Sequence, residues 1–594
     1  MQKLDCFTGK SATGLISTSR SMTKLPNLAV LIGASVKYRW LVWNPALFTG
    51  VIAWGRKESS VVALKYAKRH GLSLLRLEDG FIRSVGLGSE DPPLSIVMDD
   101  LGIYYDAASP SRLEYFVASK HSHAQLLRAR KLIDLWRAKR VSKYNHAQEY
   151  QQALPERYVL VADQTFGDSS IAYGLADSSS FQCMLASALL EYPGCTILLK
   201  VHPEVMLGHK QGHFELSTVM QNPRVQLLDE DVHPVKLIEH AQALYTVTSQ
   251  IGFEGLLWGK PVHTFGMPFY AGWGLTFDAL PALERRNLSS LESLVYAALI
   301  DYPRYIDPET YIRCEVERVV EWMGVQREMC DISRNEADLY CVETCVYALG
   351  FSSWKRSVVR QCFPDSKVVF IAHAADVPVA GVLAVWGLKL VLGELAADVK
   401  IIRLEDGFLR SVGLGADLIR PMSWVVDGRG IYYDATRPSD LEYLLSNKTF
   451  STDLLKRADL LRARLVVEGV TKYNVGINGW QRPAQLEKVI LVPGQVESDA
   501  SLAYGAPGIC TNMGLLQAVR LANPSAYIIY KPHPDVIAGL RSKGVGESEA
   551  LLYCDEQLIS IDMGELLMQV DEVHVMTSLA GFEALLRDKI VVCY

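Results

Sequence analysis

Thirteen residues of this chain occur twice. Arg76 to Gly88 reads RLEDGFIRSVGLG and Arg403 to Gly415 reads RLEDGFLRSVGLG, the one difference being Ile82 against Leu409. A segment so rich in charge and glycine is not a generic core element, so composition bias does not produce the match. The chain is therefore a duplication before it is anything else. Further pairs follow in the same order: AWGRK with AVWGLK, GIYYDA at Gly102 and Gly430, KYN at Lys143 and Lys472, KVHPE with KPHPD, and TSQIGFEGLL with TSLAGFEALL. The offset is 327 between Glu78 and Glu405 and 331 between His202 and His533. Such a period is far too long for a solenoid and describes two fused copies of one large unit.

A length of 594 residues suggests about three to four domains. The net charge of −6 argues against a nucleic-acid binder driven by overall charge. Eleven cysteines without a CxxC pair suit a reducing compartment better than a disulfide scaffold or zinc site. The N-terminus lacks the apolar core of a signal peptide, and no run approaches the ~18 apolar residues of a membrane span. These features lead us to expect a cytoplasmic protein, with peripheral membrane contact left open.

Residues before Leu25 read as a flexible lead-in. AVLIGASV and GVIAWG then read as buried strands, with a helix over SSVVALKYAKRHGL, and LSLLRL as a strand running directly into EDGF. SIVMDDLGIYYDA reads as a strand pair, SPSRLEYFV as a helix capped by Ser109 with Pro110 at its first position, and Ser122 to Arg140 as a long amphipathic helix. YVLVADQ opens a second series, with strands TILLKVHP, VQLLD, ALYTVTS and PVHTFG separated by helices. This alternation predicts an α/β fold with parallel sheets covered on both faces. The expected lobes are 25–150 and 151–325 in the first module, and 340–480 and 481–594 in the second. The second copy ends at Tyr594, inside the strand equivalent to PVHTF, where the first continues into GMPFYAGWGLT; the second module is therefore expected to be incomplete.

Polar residues that both halves keep cluster after predicted strand ends, where ligands bind in open α/β sheets. Lys200, His202 and Pro203 follow one such strand, and Lys531, His533 and Pro534 its counterpart; a lysine and an imidazole there suit an anionic group such as phosphate. His233-Pro234 has no counterpart and reads as a turn. Thr248-Ser249 and Thr577-Ser578 stand at helix starts, as anion site or ordinary N-cap. Glu254 and Glu583, placed in the first turn of those helices, suit a ribose diol or the helix dipole. Asp168 and Asp499 occupy Q-x-x-x-D-x-S loops after Gln164 and Gln495, each a nucleophile, a base or a helix cap; Asp163, which is Gly494 in the other half, is the poorer candidate. Glu78, Asp79, Arg83 and Ser84, with Glu405, Asp406 and Arg410 in the second half, face the same cleft or form a salt-bridged turn.

The combination of K-x-H-P, TS-x-x-GFE, EDGFxRS and GKPVHTFGMPFYAGWGLT resembles the Kdo transferases of bacterial capsule biosynthesis, and the duplicated layout resembles their dual-module members. That resemblance implies two tandem GT-B-like modules, each of two Rossmann-like lobes, one for acceptor and one for donor. It implies CMP-β-Kdo as donor and a Kdo-bearing phosphatidylglycerol-type glycolipid as acceptor, the modules making different, alternating β linkages. It also implies other capsule assembly and export proteins as partners at the cytoplasmic face of the inner membrane. CMP-Kdo is itself a β-glycoside, so a β product means retention, and double displacement through a carboxylate explains it; Asp168 and Asp499 match the nucleophile position. Lys200, His202 and Ser249, with Lys531, His533 and Ser578, would hold the CMP phosphate, Glu254 and Glu583 the ribose, and Glu78 and Glu405 would serve the acceptor hydroxyl. No cofactor or metal is expected, since the leaving phosphate is weakly basic. The truncated second module leads us to expect one competent transferase, products carrying a single added Kdo, and no effect of Asp499→Ala. The alternatives are another CMP-sugar enzyme or a non-catalytic scaffold of the capsule assembly and export complex.

Overall fold

A computed structural model describes residues 14–86, 91–201, 211–335, 345–353, 355–363, 366–388, 395–413, 421–476 and 479–594. The chain forms two units, Met1–Ile332 and Ser333–Tyr594.

In the first unit, strands β1 (Leu15–Ser17), β2 (Val36–Tyr38), β3 (Gly50–Trp54), β4 (Ser73–Asp79) and β5 (Ser95–Asp99) build the first lobe. The second contains β6 (Tyr158–Ala162), β7 (Thr196–Lys200), β8 (Val225–Leu228), β9 (Leu244–Thr246), β10 (Val262–Thr264) and β11 (Phe277–Asp278). The chain then returns: β12 (Pro303–Ile306) and β13 (Arg313–Cys314) join the first lobe, whose sheet has the order β13-β12-β5-β4-β3-β1-β2. The second sheet has the order β11-β10-β9-β6-β7-β8 and is parallel throughout. Every residue of β6 is buried, which is why this strand reads as an unbroken apolar run. Helix His123–Lys139 is capped by Ser122 and buries Ala129, Leu132, Ile133 and Trp136, the spacing of one helical face.

Several expectations need correction. The lead-in is not all flexible, because Leu15–Ser17 is an interior strand paired with both β2 and β3; three residues are too few to show a period. AVLIGASV is not a strand: Leu28–Ile32 is a helix ended by Gly33 at φ 75°, and the strand begins at Val36. SIVMDDLGIYYDA holds one strand, after which Asp99 turns the chain by accepting from the N–H of Leu101 (2.9 Å) and of Gly102 (2.7 Å). Ser111, not Ser109, caps the next helix, in a reciprocal box with Glu114. The first-lobe sheet is not wholly parallel, since β4–β5, β5–β12 and β12–β13 are antiparallel. Residues 303–314 thus belong to the first lobe although they follow the second in sequence.

In the second unit β14 (Cys345–Leu349), β15 (Lys367–Ile371), β16 (Val382–Trp386), β17 (Lys400–Asp406) and β18 (Trp424–Asp427) form a sheet of order β15-β14-β16-β17-β18, again with its last strand antiparallel. Strands β19 (Val489–Pro493), β20 (Tyr527–Lys531), β21 (Glu556–Gln557), β22 (Glu572–Val575) and β23 (Ile590–Cys593) form a parallel sheet of order β21-β20-β19-β22-β23. The repeated strands β4 and β17 share the same pattern of burial, residue by residue. The duplication seen in sequence is a duplication of two α/β lobes.

Candidate functional site

Strands β4 and β17 each end in Glu-Asp and run into the repeated turn. Asp79 binds Arg83 at 2.9 Å and Asp406 binds Arg410 at 2.7 Å. Each arginine also donates to the next serine hydroxyl, Ser84 or Ser411, at 2.9 Å. These acid–base pairs hold the turn, one of the two readings the sequence allowed. Glu78 is different: its Oε1 accepts from Trp54 Nε1 at 2.6 Å, and burial, then the Asp79 charge, raises its pKa. Burial likewise raises Glu405. Gly55, at φ 45°, is required where Tyr105 Oη and Glu78 Oε2 crowd the backbone.

The KYN segments join the lobes through the backbone of a single lysine, by the N–H of the peptide before it and the carbonyl of the peptide after it. The Lys143 carbonyl accepts from Arg83 N at 3.1 Å, while its N–H donates to Glu254 Oε1 at 3.3 Å. The Lys472 carbonyl accepts from Arg410 N at 3.2 Å, and its N–H donates to Glu583 Oε1 at 2.7 Å. Asn145 and Asn474 brace this link from the next turn, reaching the carbonyls of Ser84 (3.3 Å) and Ser411 (3.0 Å). Glu254 is the fifth residue of helix Gln250–Leu257, not a first-turn residue, and also accepts from Ser142 Oγ at 2.8 Å. Burial pushes the carboxyls of Glu254 and Glu583 up to about 7. Their partners here are the lobe junction; they do not answer a helix dipole.

Gln164 and Gln495 anchor the hydroxyl loops. Thr248 N donates to Gln164 Oε1 at 2.9 Å, and Thr577 N to Gln495 Oε1 at 3.0 Å. Each glutamine returns a bond to the threonine hydroxyl, at 3.1 and 2.9 Å. Ser249 and Ser578 cap the helices that follow. Gln164→Ala leaves the Thr248 N–H buried and unpaired, and is expected to cost the first unit about 1–3 kcal/mol in denaturant unfolding; an unchanged midpoint would free the glutamine for a ligand.

Asp168 and Asp499 are exposed, and both cap short helices, accepting from Ser170 N (2.9 Å) and Ala500 N (3.1 Å). Asp163 is raised by burial to about 6. Lys200, half-buried, and Lys531, buried, stand at strand ends, and desolvation lowers both. His202 and Pro203 lie outside the described residues. His533 caps the helix begun by Pro534, its Nδ1 accepting from Asp535 N at 3.2 Å, and burial lowers it. His233 is enclosed, with Nε2 3.3 Å from Asn145 Oδ1; burial holds it well below the usual imidazole range, and it braces the KYN turn.

In the second unit these groups converge on one cleft of about 920 Å³. Glu405, Asp406 and Arg410 line it from the first lobe; Gln495, Asp499, Lys531, His533, Pro534, Thr577, Ser578 and Glu583 line it from the second. Burial, then Glu405, Tyr433, Asp406 and Asp499, push the Tyr432 phenol up. In the first unit burial, then Glu78, Tyr105, Asp79 and Asp168, do the same to Tyr104. Each phenol therefore feels the strand-end glutamate of one lobe and the loop aspartate of the other. The cleft also includes Lys355, Trp386, Lys472, Asp535 and Arg541, to which sequence reasoning gave no role. Lys355 Nζ lies 2.9 Å from the Trp386 ring centroid. Burial pulls Lys472 down, but Tyr473, Asp406 and Glu405 outweigh it and leave it raised. The repeated WG, YYD and KYN strings were the available signal for several of these.

The aromatic loop Gly266 to Thr276 of the first unit reaches the first lobe as core. Phe269 packs 4.5 Å from Phe81 and 5.6 Å from Tyr104, and Tyr270 Oη donates to the Ser249 carbonyl at 2.5 Å. Tyr270, Ala271 and Trp273 are buried, so they stiffen the lobe junction.

The model of the capsule polysaccharide biosynthesis protein family matches residues 49–151, 117–306, 393–464 and 461–594. The chain is 42% identical over 602 residues to the capsule polysaccharide modification protein LipA of Neisseria meningitidis serogroup A, covering 97% of this chain and 83% of that protein. It is 35% identical over 268 residues to the lipopolysaccharide-processing protein LpsZ of Rhizobium meliloti, covering 42% of this chain and 60% of that one. Among solved structures it is similar to Thermosulfurimonas dismutans KpsC, beta Kdo 2,4 transferase, at 40% identity and a TM-score of 0.50, over 53% of this chain and 99% of that chain.

Proposed function

The chain belongs to the capsule polysaccharide biosynthesis family, and from that premise we propose that it is a retaining glycosyltransferase that moves Kdo from CMP-β-Kdo to a lipid-linked, Kdo-bearing acceptor, building the linker of a capsular polysaccharide. The observation that carries this reading is the second-unit cleft, where acidic, basic and hydroxyl groups kept by both halves converge from two lobes. The likeness to a solved β-Kdo transferase supports it.

The reading assigns roles as follows. The Asp168 or Asp499 carboxylate attacks the anomeric carbon, the bond to the CMP phosphate breaks, and CMP leaves with the electron pair. An acceptor hydroxyl then attacks from the other face, releasing the aspartate, while Glu78 or Glu405 takes its proton. Burial raises the pKa of both glutamates, the direction that strengthens a carboxylate as a base. Lys531 and His533 would hold the departing phosphate, and the mechanism asks for no metal.

The test is transfer by the purified chain from CMP-Kdo to a Kdo-bearing acceptor, with product configuration read by NMR. A modified nucleotide sugar without acceptor product would point to an epimerase; CMP binding without release would point to a scaffold. His533→Ala should cost about 1.5–3 kcal/mol of CMP binding, on the order of ten- to a hundredfold, as a charge-assisted bond to phosphate is lost. Unchanged CMP calorimetry at that site would leave His533 as a helix cap. His233→Ala, in the first unit, is the control and should leave CMP binding at the second-unit site unchanged.

A further inference from the structure

The first lobe of the first unit bears an apolar surface that the transfer reaction does not use. It follows the edge strand β2 and consists of two 3-10 turns, Arg39–Leu41 and Pro45–Leu47. Trp40 is 75% exposed, Leu41 69%, Trp43 101% and Leu47 62%. Single exposed apolar residues need no explanation, but four large ones within eight residues do. The turns are held in shape: Asn44 Oδ1 accepts from Ala46 N at 3.1 Å, Pro45 opens the second turn, and the Arg39 guanidinium lies 4.9 Å from the Trp40 ring centroid.

Charge identifies the partner. From Gly14 to Lys57 the sequence contains Arg20, Lys24, Lys37, Arg39, Arg56 and Lys57 and not one Asp or Glu, in a protein whose net charge is −6. Of these, Arg56 is paired with Asp106. Tryptophan beside lysine and arginine is the composition that settles at the headgroup level of a bilayer, and a basic, acid-free segment favours anionic lipid. Among the described residues no helix is long and apolar enough to cross a membrane, so contact with a bilayer would be made by a surface such as this one. The second unit offers an internal contrast: the turn after its edge strand β15 is Ala374–Asp376, with no aromatic residue and an acidic one.

Position gives the surface a use. Strands β2, β1, β3 and β4 are parallel, so the turn after β2 and Glu78 at the end of β4 lie at the same, carboxyl edge of the sheet. Three strand spacings separate β2 from β4, about 14 Å. We propose that Trp40, Leu41, Trp43 and Leu47, flanked by Lys37 and Arg39, dock the first unit on an anionic lipid bilayer and so present lipid headgroups at the carboxyl edge of the first-lobe sheet, where Glu78 stands. The inference deepens the lipid-linked reading of the acceptor, but its test needs no sugar transfer.

The test is sedimentation of the full chain with sucrose-loaded vesicles of phosphatidylglycerol mixed with phosphatidylcholine, against phosphatidylcholine alone. Wild type should bind the anionic vesicles and release them in high salt. Trp40→Ala with Trp43→Ala should weaken partitioning about tenfold or more, and Lys37→Gln about fivefold, with melting temperatures unchanged because the residues are exposed. Absence of binding to anionic vesicles, or equal binding by wild type and variants, overturns the proposal. A wild-type dimer that the tryptophan substitutions turn into a monomer also overturns it, by giving the surface to a second copy of the chain. Transfer to a water-soluble Kdo acceptor separates the two readings: patch-dependent vesicle binding without transfer sinks the enzymatic proposal alone, and transfer without vesicle binding sinks this one alone.

Discussion

Asp168→Asn should lower Kdo transfer by the first unit on the order of 10⁴-fold while leaving its stability untouched. The choice of asparagine decides between the two roles open to this residue. Asp168 is exposed, and its Oδ1 accepts from Ser170 N at 2.9 Å, as an N-cap does. Asparagine caps a helix as well as aspartate, whereas alanine costs about 1 kcal/mol. If capping is its whole role, Asp168→Asn is silent and Asp168→Ala merely destabilises. If the carboxylate attacks the anomeric carbon, the amide cannot replace it, and a lost nucleophile costs several orders of magnitude in turnover. Turnover is read by NMR that resolves the linkage formed, and CMP calorimetry should show donor binding intact. Near-normal turnover by the asparagine variant removes Asp168 from the mechanism.

The duplication made much of the candidate site legible. Glu405, Asp499, Lys531, His533 and Ser578 were marked by their repetition alone, and the structure brings them to one cleft. What the comparison of halves does not distinguish is why a residue is kept. Gln164 and Gln495 recur because each satisfies a buried N–H, and Asp79 and Asp406 because each holds an arginine in a turn. The KYN strings recur for a lysine whose backbone N–H and carbonyl bind different lobes, a role that leaves no mark on the side chain at Lys143. The fold was legible where strands are long and buried on both faces, as in β6 and β19. It was hidden in β1, three residues long, and in Leu28–Ile32, whose apolar run fits a helix or a strand equally until Gly33 ends it. The return of β12 and β13 to the first sheet is a long-range pairing with β5 that no local pattern encodes.

Glu254→Gln should remove a large pH dependence from the stability of the first unit. The wild-type carboxyl is enclosed, and burial raises it from the ordinary 4.5 to about 7. A raised value means that the folded protein holds this proton more tightly than the unfolded chain. The stabilisation is therefore complete below the unfolded value, declines as pH rises from 4.5 to about 7, and is gone above that. At ~1.4 kcal/mol per unit, the whole window is worth roughly 3 kcal/mol. Glutamine has no proton to lose, and its Oε1 can still accept from the N–H of Lys143, so the lobe junction keeps its bond. The variant should thus gain on wild type as pH rises, with the gap in denaturant midpoints widening from pH 4.5 to about pH 7 and level beyond. Other buried carboxyls, such as Asp163, are common to both proteins and cancel in the difference. Glu583→Gln should give the same curve in the second unit, where the carboxyl is also raised to about 7 and the partner is the N–H of Lys472 at 2.7 Å. A gap that does not change with pH would mean that Glu254 has the same pKa folded and unfolded, and that the junction does not hold its proton.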